Sequence, residues 1–227
     1  MIAAGTPAPA PTPVLKQIGR SAGAAAVCGN LVVHANSAID AALRDDVLVG
    51  RVVTRLREID LENNAVSKRG GLSDLNRLVV ELSGESLRGE SEVKRLREAA
   101  ERNGGAAGSD LRTFADALAG ALGRQHKIGT DLNNFLAYID YRDMREISQQ
   151  PPPPQRRGSG NDPFGVGPFP FTAPTPTAPP GSPYAGAGSP NRMALAAAND
   201  FESRVAEIQG DEAKAAGHSE AAVSGCS

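Results

Sequence analysis

The chain has 227 residues, with 24 Lys and Arg against 26 Asp and Glu, and a net charge of −2 at neutral pH. Binding to nucleic acid or to an anionic membrane needs a clustered basic surface that displaces counterions, and no such cluster is present. Trp is absent and aromatic residues make up 4% of the chain, which argues against a large aromatic-lined pocket. Alanine and leucine therefore have to fill the core.

The distribution of proline divides the chain into regions. All 17 prolines lie either between Pro7 and Pro13 or between Pro151 and Pro190. A long proline-free stretch between two proline-rich ones is typical of a helical domain flanked by extended segments. The sequence predicts a disordered leader (1–13), a helical bundle domain (14–150), a Pro-rich disordered linker (151–191), an amphipathic helix (192–217) and a flexible tail (218–227).

Two helices are predicted at the start of the domain. The first begins after Pro13 and ends near Leu43, because small and apolar residues recur at three- and four-residue steps, namely Ile18, Ala22, Ala25, Cys28, Val32, Ala35, Ile39 and Ala42. Asp45 and Asp46 are interpreted as the N-cap and first-turn acids of the second helix, facing the positive end of its dipole. Its apolar stripe consists of Leu48, Val52, Leu56 and Ile59.

Three further helices complete the predicted domain. The first is capped by Ser73 and Asp74 and stopped by Gly84, and a short charged helix over about residues 91–102 follows it. The longest extends from Ser109 to about Ile147, and its predicted apolar face includes Gln125. Glycines at 120, 123 and 129 indicate either close helix packing or a break near Thr130, and an unbroken helix is favoured. The predicted fold class is all-α, a small helical bundle.

The region after residue 150 is predicted to work as a tail. Its Gly-, Pro- and Thr-rich part cannot bury enough apolar surface to offset chain entropy. The last helix has one thin apolar stripe, so it is expected to remain isolated from the bundle and to be available to a partner. Aromatic residues of this region are the candidate partner-binding residues: Phe164, Phe169, Phe171, Tyr184 and Phe201.

His34 and His126 are the histidines of the predicted bundle, and with nearby polar residues they define an alternative small-ligand or metal site between the first and last helices. A metal site needs three or four ligands, and no third ligand has a suitable spacing. The sequence has no GxxxxGK[ST], HExxH or GxSxG motif and no Glu-x-x-His pair of di-iron bundles. No catalytic residue and no cofactor are therefore predicted.

The first residues of the chain favour an exported protein over a cytoplasmic one. Ala3-Ala4-Gly5 followed by alternating Ala and Pro resembles the cleavage region and mature start of an exported bacterial protein, so a truncated signal peptide is suspected. The most apolar stretch, residues 23–35, is too short to span a bilayer. Whether Cys28 and Cys226 form a disulfide stays open, because that depends on an oxidising compartment.

Together these features predict a non-catalytic helical structural or protein-interaction module that acts through its tail. The alternative from another class is a small-ligand or metal-binding bundle around His34 and His126.

Overall fold

The computed structural model describes residues 15–18, 26–62, 65–103, 105–149 and 189–224. These residues form four α-helices and no strand. The helices are α1 (Ala26–Glu58), α2 (Ala65–Asn103), α3 (Gly105–Gln149) and α4 (Pro190–Ser224). The predicted all-α bundle is confirmed.

The helices are fewer and longer than predicted, because residues interpreted as helix ends lie inside helices. α1 continues through Asp45 and Asp46, and α2 continues through Gly84. α3 passes Thr130 without a break, as favoured from the sequence. Tertiary packing along each helix outweighs the roughly 1 kcal/mol that a glycine costs in a helix interior.

The start of the first predicted helix needs a correction. Residues 15–18 are not helical, although the sequence pattern includes them in that helix. The side chain of Asn36 accepts a hydrogen bond from the backbone nitrogen of Ile18 at 2.7 Å and donates one to its carbonyl oxygen at 3.0 Å. Both backbone groups of Ile18 thus have partners outside a helix, and Leu15 is buried beside α1.

The four helices run up, down, up and down and bury two apolar cores, one above the other along the bundle axis. The first core is formed by residues 48–61, 75–82, 121–139 and 193–208. The second core is formed by Leu15, Ala215 and residues 31–42, 93–100 and 111–122. α1 and α3 contribute their C-terminal halves to the first core, whereas α2 and α4 contribute their N-terminal halves. Helices that follow one another in the sequence are therefore antiparallel.

Close packing explains two of the helix-interior glycines. A Cβ at Gly89 would lie 2.6 Å from Cδ2 of Leu122 and 3.1 Å from Cβ of Ala41, so glycine is required where α1, α2 and α3 meet. A Cβ at Gly129 would lie 3.3 Å from Cδ2 of Leu82. The sequence predicts that the glycines of α3 mark either close packing or a break, and Gly129 marks close packing.

α4 packs against α3 and α1 as the fourth helix of the bundle, which corrects the expectation of an isolated C-terminal helix. Met193, Phe201 and Ile208 are buried in the first core, and small residues between them allow the backbone to approach. Ion pairs flank this interface, joining Arg57 to Glu202 and Arg204 to Asp131. The thin stripe seen in the sequence is therefore sufficient to dock α4, since alanines widen it.

Candidate functional site

Within the described residues, the polar side chains that are fully buried come one from each helix. They are Asp45 of α1, Ser86 of α2, Gln125 of α3 and Glu212 of α4, and each is at most 1% exposed. Asp46, which is partly buried, lies beside them on α1. We call these five residues the polar layer. In every helix the layer lies between the residues of the first core and those of the second core.

One half of the polar layer joins α1 to α2. The hydroxyl of Ser86 donates a hydrogen bond of 2.8 Å to Oδ2 of Asp45, while Oδ1 of Asp45 has no hydrogen-bond partner. Burial, opposed by the hydrogen bond from Ser86, raises the pKa of Asp45 to about 7. The nearby carboxylates of Glu85 and Asp46 also raise this pKa. Asp45 therefore gains its charge in the folded protein only near neutral pH.

The other half of the polar layer joins α1, α3 and α4. The amide nitrogen Nε2 of Gln125 donates to Oδ1 of Asp46 at 2.8 Å and to the carbonyl oxygen of Ala42 at 3.0 Å. Both neighbours are acceptors, which fixes the orientation of the amide. From α4, the carboxyl group of Glu212 lies close enough to Asp46 for the charge of Asp46 to raise its pKa.

Burial first, and then the charge of Asp46, raises the pKa of Glu212 to about 8. Burial also raises the pKa of Asp46. Burial of these two neighbouring acids therefore favours the protonated form of each.

Two oxygens of this half have no hydrogen-bond partner, Oε1 of Gln125 and Oε1 of Glu212. An unsatisfied buried polar atom costs about 1–3 kcal/mol, so the polar layer lowers the stability of the bundle compared with an apolar one. The layer can bind and release protons, and it fixes which residues of the four helices lie at the same level.

Sequence reasoning missed most of the polar layer. The sequence pattern predicts that Asp45 and Asp46 lie at a helix start, whereas they lie in the middle of α1. It places Gln125 on the apolar face of α3, and the structure confirms that position. The available signal was a polar residue within an apolar stripe, seen also at Ser86 between Leu82 and Val93 and at Glu212 between Ile208 and Ala215.

The structure does not bring the two candidate histidines together. Nδ1 of His34 on α1 pairs with Oε2 of Glu92 on α2 at 2.6 Å. His126 follows Gln125, whose amide contacts the carbonyl of Ala42. Ala42 lies eight residues beyond His34, which is about 12 Å along a helix. In the described part of the chain, no three His, Cys, Asp or Glu side chains are placed to hold one metal ion.

The candidate partner-binding residues are divided between two locations. Phe164, Phe169, Phe171 and Tyr184 lie outside the described residues. Phe201 lies in the first core, fully buried, with the guanidinium of Arg204 placed 5.7 Å from the centre of its ring. Phe201 thus contributes to the docking of α4 on its own bundle.

No protein-family model matches the chain, and no curated protein or solved structure is significantly similar to it. The four helices, over their described residues, contain no segment long and apolar enough to cross a membrane. The polar layer and the docked face of α4 are the features of the described residues that indicate a function.

Proposed function

We propose that this protein is a non-catalytic helical interaction module in which α4 docks reversibly on α1 and α3. The surface that α4 covers is the binding site, and its second occupant is a helical segment of a protein partner. The apolar face of that segment has the same composition as the docked face of α4, with small residues around a few large apolar side chains.

The observation that carries this proposal is the composition of the docked face of α4. Among the residues of α4 whose burial is described, Met193, Phe201 and Ile208 are the large apolar side chains placed fully in the core, and alanines fill the rest of the face. Each large side chain contributes about 1.5–3 kcal/mol when fully buried. Ordering the backbone costs about 1–2 kcal/mol for each residue, so the three anchors offset only part of the cost of ordering α4, and docking is weakly favoured and readily reversed.

The connection to the rest of the chain supports the same conclusion. Residues 150–188 join α3 to α4. The closure penalty rises by only about 0.6 kcal/mol for each doubling of the length of a connection, so a connection of this length permits α4 to leave and return. While α4 is docked, its tether keeps its effective concentration high, and a free partner competes poorly unless α4 is weakened.

Peptide capture by the full-length protein tests this proposal. Phe201→Asp places a carboxylate in the first core and is expected to release α4. A labelled synthetic peptide of residues 189–224 should then bind this variant saturably, measured by fluorescence anisotropy. The wild-type protein should bind it at least about tenfold more weakly, because its own α4 occupies the site.

Leu195→Asp is the matched control, since it places the same charge on α4 at a side chain that is 49% exposed. It should behave like the wild type. Far-UV circular dichroism reports whether the helices of Phe201→Asp persist. A Phe201→Asp protein that keeps most of its helix but does not bind the peptide would refute the proposal. Loss of the whole helical signal would refute it too, because α4 would then be an inseparable part of the fold.

A further inference from the structure

The outer face of α2 carries a stripe of uncharged residues. The neighbours of α2 in the bundle are α1 and α3, so one side of the helix points to solvent. Six exposed, uncharged residues recur there at three- and four-residue steps, a spacing that places them on one face. They are Ser73, Asn76, Val80, Gly84, Leu87 and Ser91. We call these six residues the α2 stripe. The other exposed residues between positions 73 and 91 are all charged.

Two large apolar side chains of the α2 stripe lie in solvent, with a glycine between them. Val80 is 71% exposed and Leu87 is 58% exposed. A Cβ at Gly84 would have no atom within 4 Å, so the bundle itself does not require a glycine at this position. Glycine destabilises an exposed helix interior relative to alanine, but it allows another backbone to approach closely. A helix with a second apolar face is typical of one that packs on a further surface.

A row of charged residues borders the α2 stripe on the side that faces α1. In chain order, the members of this charged row are Asp74, Arg77, Glu81, Arg88, Glu92 and Arg95. The three acids pair with side chains of α1, and the three arginines pair with acids of α2 itself. The arginine side chains are 41–58% exposed, so they can also reach a second molecule. A carboxylate accepts from several donors, so the pairs within the chain need not break.

The charged row is complementary to itself when two copies of α2 lie antiparallel. A two-fold axis perpendicular to the helix keeps the α1 sides of both copies together. With this axis near Gly84, every level of the charged row brings an acid of one copy beside an arginine of the other. The facing pairs are Glu81 with Arg88, Arg77 with Glu92, and Asp74 with Arg95. The same axis places Val80 beside Leu87 of the second copy.

Like charges approach each other at one level of this arrangement. Glu85 lies near the axis, at the same height as Glu85 of the second copy. Its carboxylate is turned towards α1, where Arg44 pairs with Oε1 at 3.3 Å, and Arg88 of α2 pairs with Oε2 at 3.5 Å. The charge of Glu85 is therefore compensated within each copy.

We propose that the α2 stripe is a self-association surface through which two copies of this chain pair antiparallel about Gly84. Val80 and Leu87 supply the apolar contact. The charged row sets the orientation and the register, because charge pairs at a rim give specificity more than affinity. The contact is one helix wide, so the dimer is weak, with a dissociation constant between about 1 µM and 1 mM. α4 docks on α1 and α3, so this inference does not rest on the reversible docking proposed above.

Sedimentation equilibrium of the full-length protein, from about 10 µM to about 1 mM, tests the proposal. The average mass should rise with concentration towards that of a dimer. The double variant Val80→Glu, Leu87→Glu should associate at least about tenfold more weakly, because facing acids then replace the apolar contact. The matched control is Val33→Glu, Val47→Glu, which places the same charges at exposed valines of α1. It should associate like the wild type.

A charge reversal tests the register. Arg88→Glu should weaken association about tenfold, because an acid then faces Glu81 twice in the dimer. Adding Glu81→Arg to the same chain restores opposite charges at this level, and association should recover to within about threefold of the wild type. A change that only disturbed the helix would not be recovered in this way. Far-UV circular dichroism should show the wild-type helix content in every variant, since all the substituted side chains are at least partly exposed.

A wild-type protein that stays monomeric over the whole concentration range would overturn the proposal. Association that is unchanged in Val80→Glu, Leu87→Glu, or that is weakened equally in the α1 control, would also overturn it. So would an effect of Arg88→Glu that Glu81→Arg does not recover. Peptide capture depends on the surface under α4 and not on the α2 stripe. Self-association and the proposed function can therefore fail separately.

Discussion

Replacing Asp45 by asparagine measures what the buried acid costs the fold. The pKa of Asp45 is raised by burial from 3.8 to about 7, so the folded protein binds this proton more tightly than the unfolded chain does. The stability that this proton contributes is therefore fully present below the ordinary pKa of 3.8, and it is lost as the pH rises to the pKa of about 7 in the folded protein. A difference of about 3 pH units corresponds to about 4 kcal/mol, which is a large part of the 5–15 kcal/mol typical of a small domain.

In the Asp45→Asn variant the new side chain would still accept the hydrogen bond from Ser86, but it cannot ionise. Its amide hydrogens lack a partner, which costs about 1–3 kcal/mol at every pH. This constant cost cancels when the effect of Asp45→Asn on the free energy of unfolding is compared at pH 8 and pH 4, on either side of the titration. From pH 4 to pH 8, the free energy of unfolding of the variant should increase by about 4 kcal/mol relative to that of the wild type.

Urea denaturation followed by far-UV circular dichroism gives the two free energies. Asp116→Asn is the control, because Asp116 is exposed and its pair with Arg97 is a surface salt bridge. If the change in the free energy of unfolding between pH 4 and pH 8, relative to the wild type, were no larger for Asp45→Asn than for this control, the conclusion that ionised Asp45 destabilises the fold would be refuted.

Other predictions concern packing. Gly89→Ala should lower the free energy of unfolding by about 1–3 kcal/mol, because its Cβ would collide with the buried side chain of Leu122. Gly84→Ala, where nothing lies within 4 Å, should raise it by about 0.5–1 kcal/mol, so equal melting temperatures of the two variants would contradict the packing. Leu118→Asp should unfold the domain, since this side chain is fully buried, whereas Glu98→Gln should melt like the wild type. A folded Leu118→Asp protein would show that α3 has a different helical phase.

The sequence was sufficient to predict the fold class and the buried faces of the helices. Period-3.6 stripes identify Val52, Leu118 and Phe135 as core residues, and all three are buried. The ends of the helices were less predictable. Gly84 resembles a stop signal, but α2 passes through it because neighbouring helices stabilise its backbone.

The polar layer could not be predicted, because its meaning depends on contacts between distant residues. Asp45 and Asp46 satisfy the local rule for a helix start, and only the packing of the other helices against α1 makes them members of the polar layer. The docking of α4 was missed for a related reason. Its stripe was judged by the large residues alone, whereas alanines allow the close approach that places Glu212 beside Asp46.

The most direct test of the account is the titration of Glu212 itself in the native protein. The carboxyl carbon of this residue, assigned by NMR through comparison with Glu212→Gln, should change its chemical shift near pH 8. Exposed glutamates of the same protein should titrate near their ordinary values, about 4.3. A Glu212 resonance that also moves at about that ordinary value would contradict the account, because burial of Glu212 in the polar layer would then not favour its protonated form.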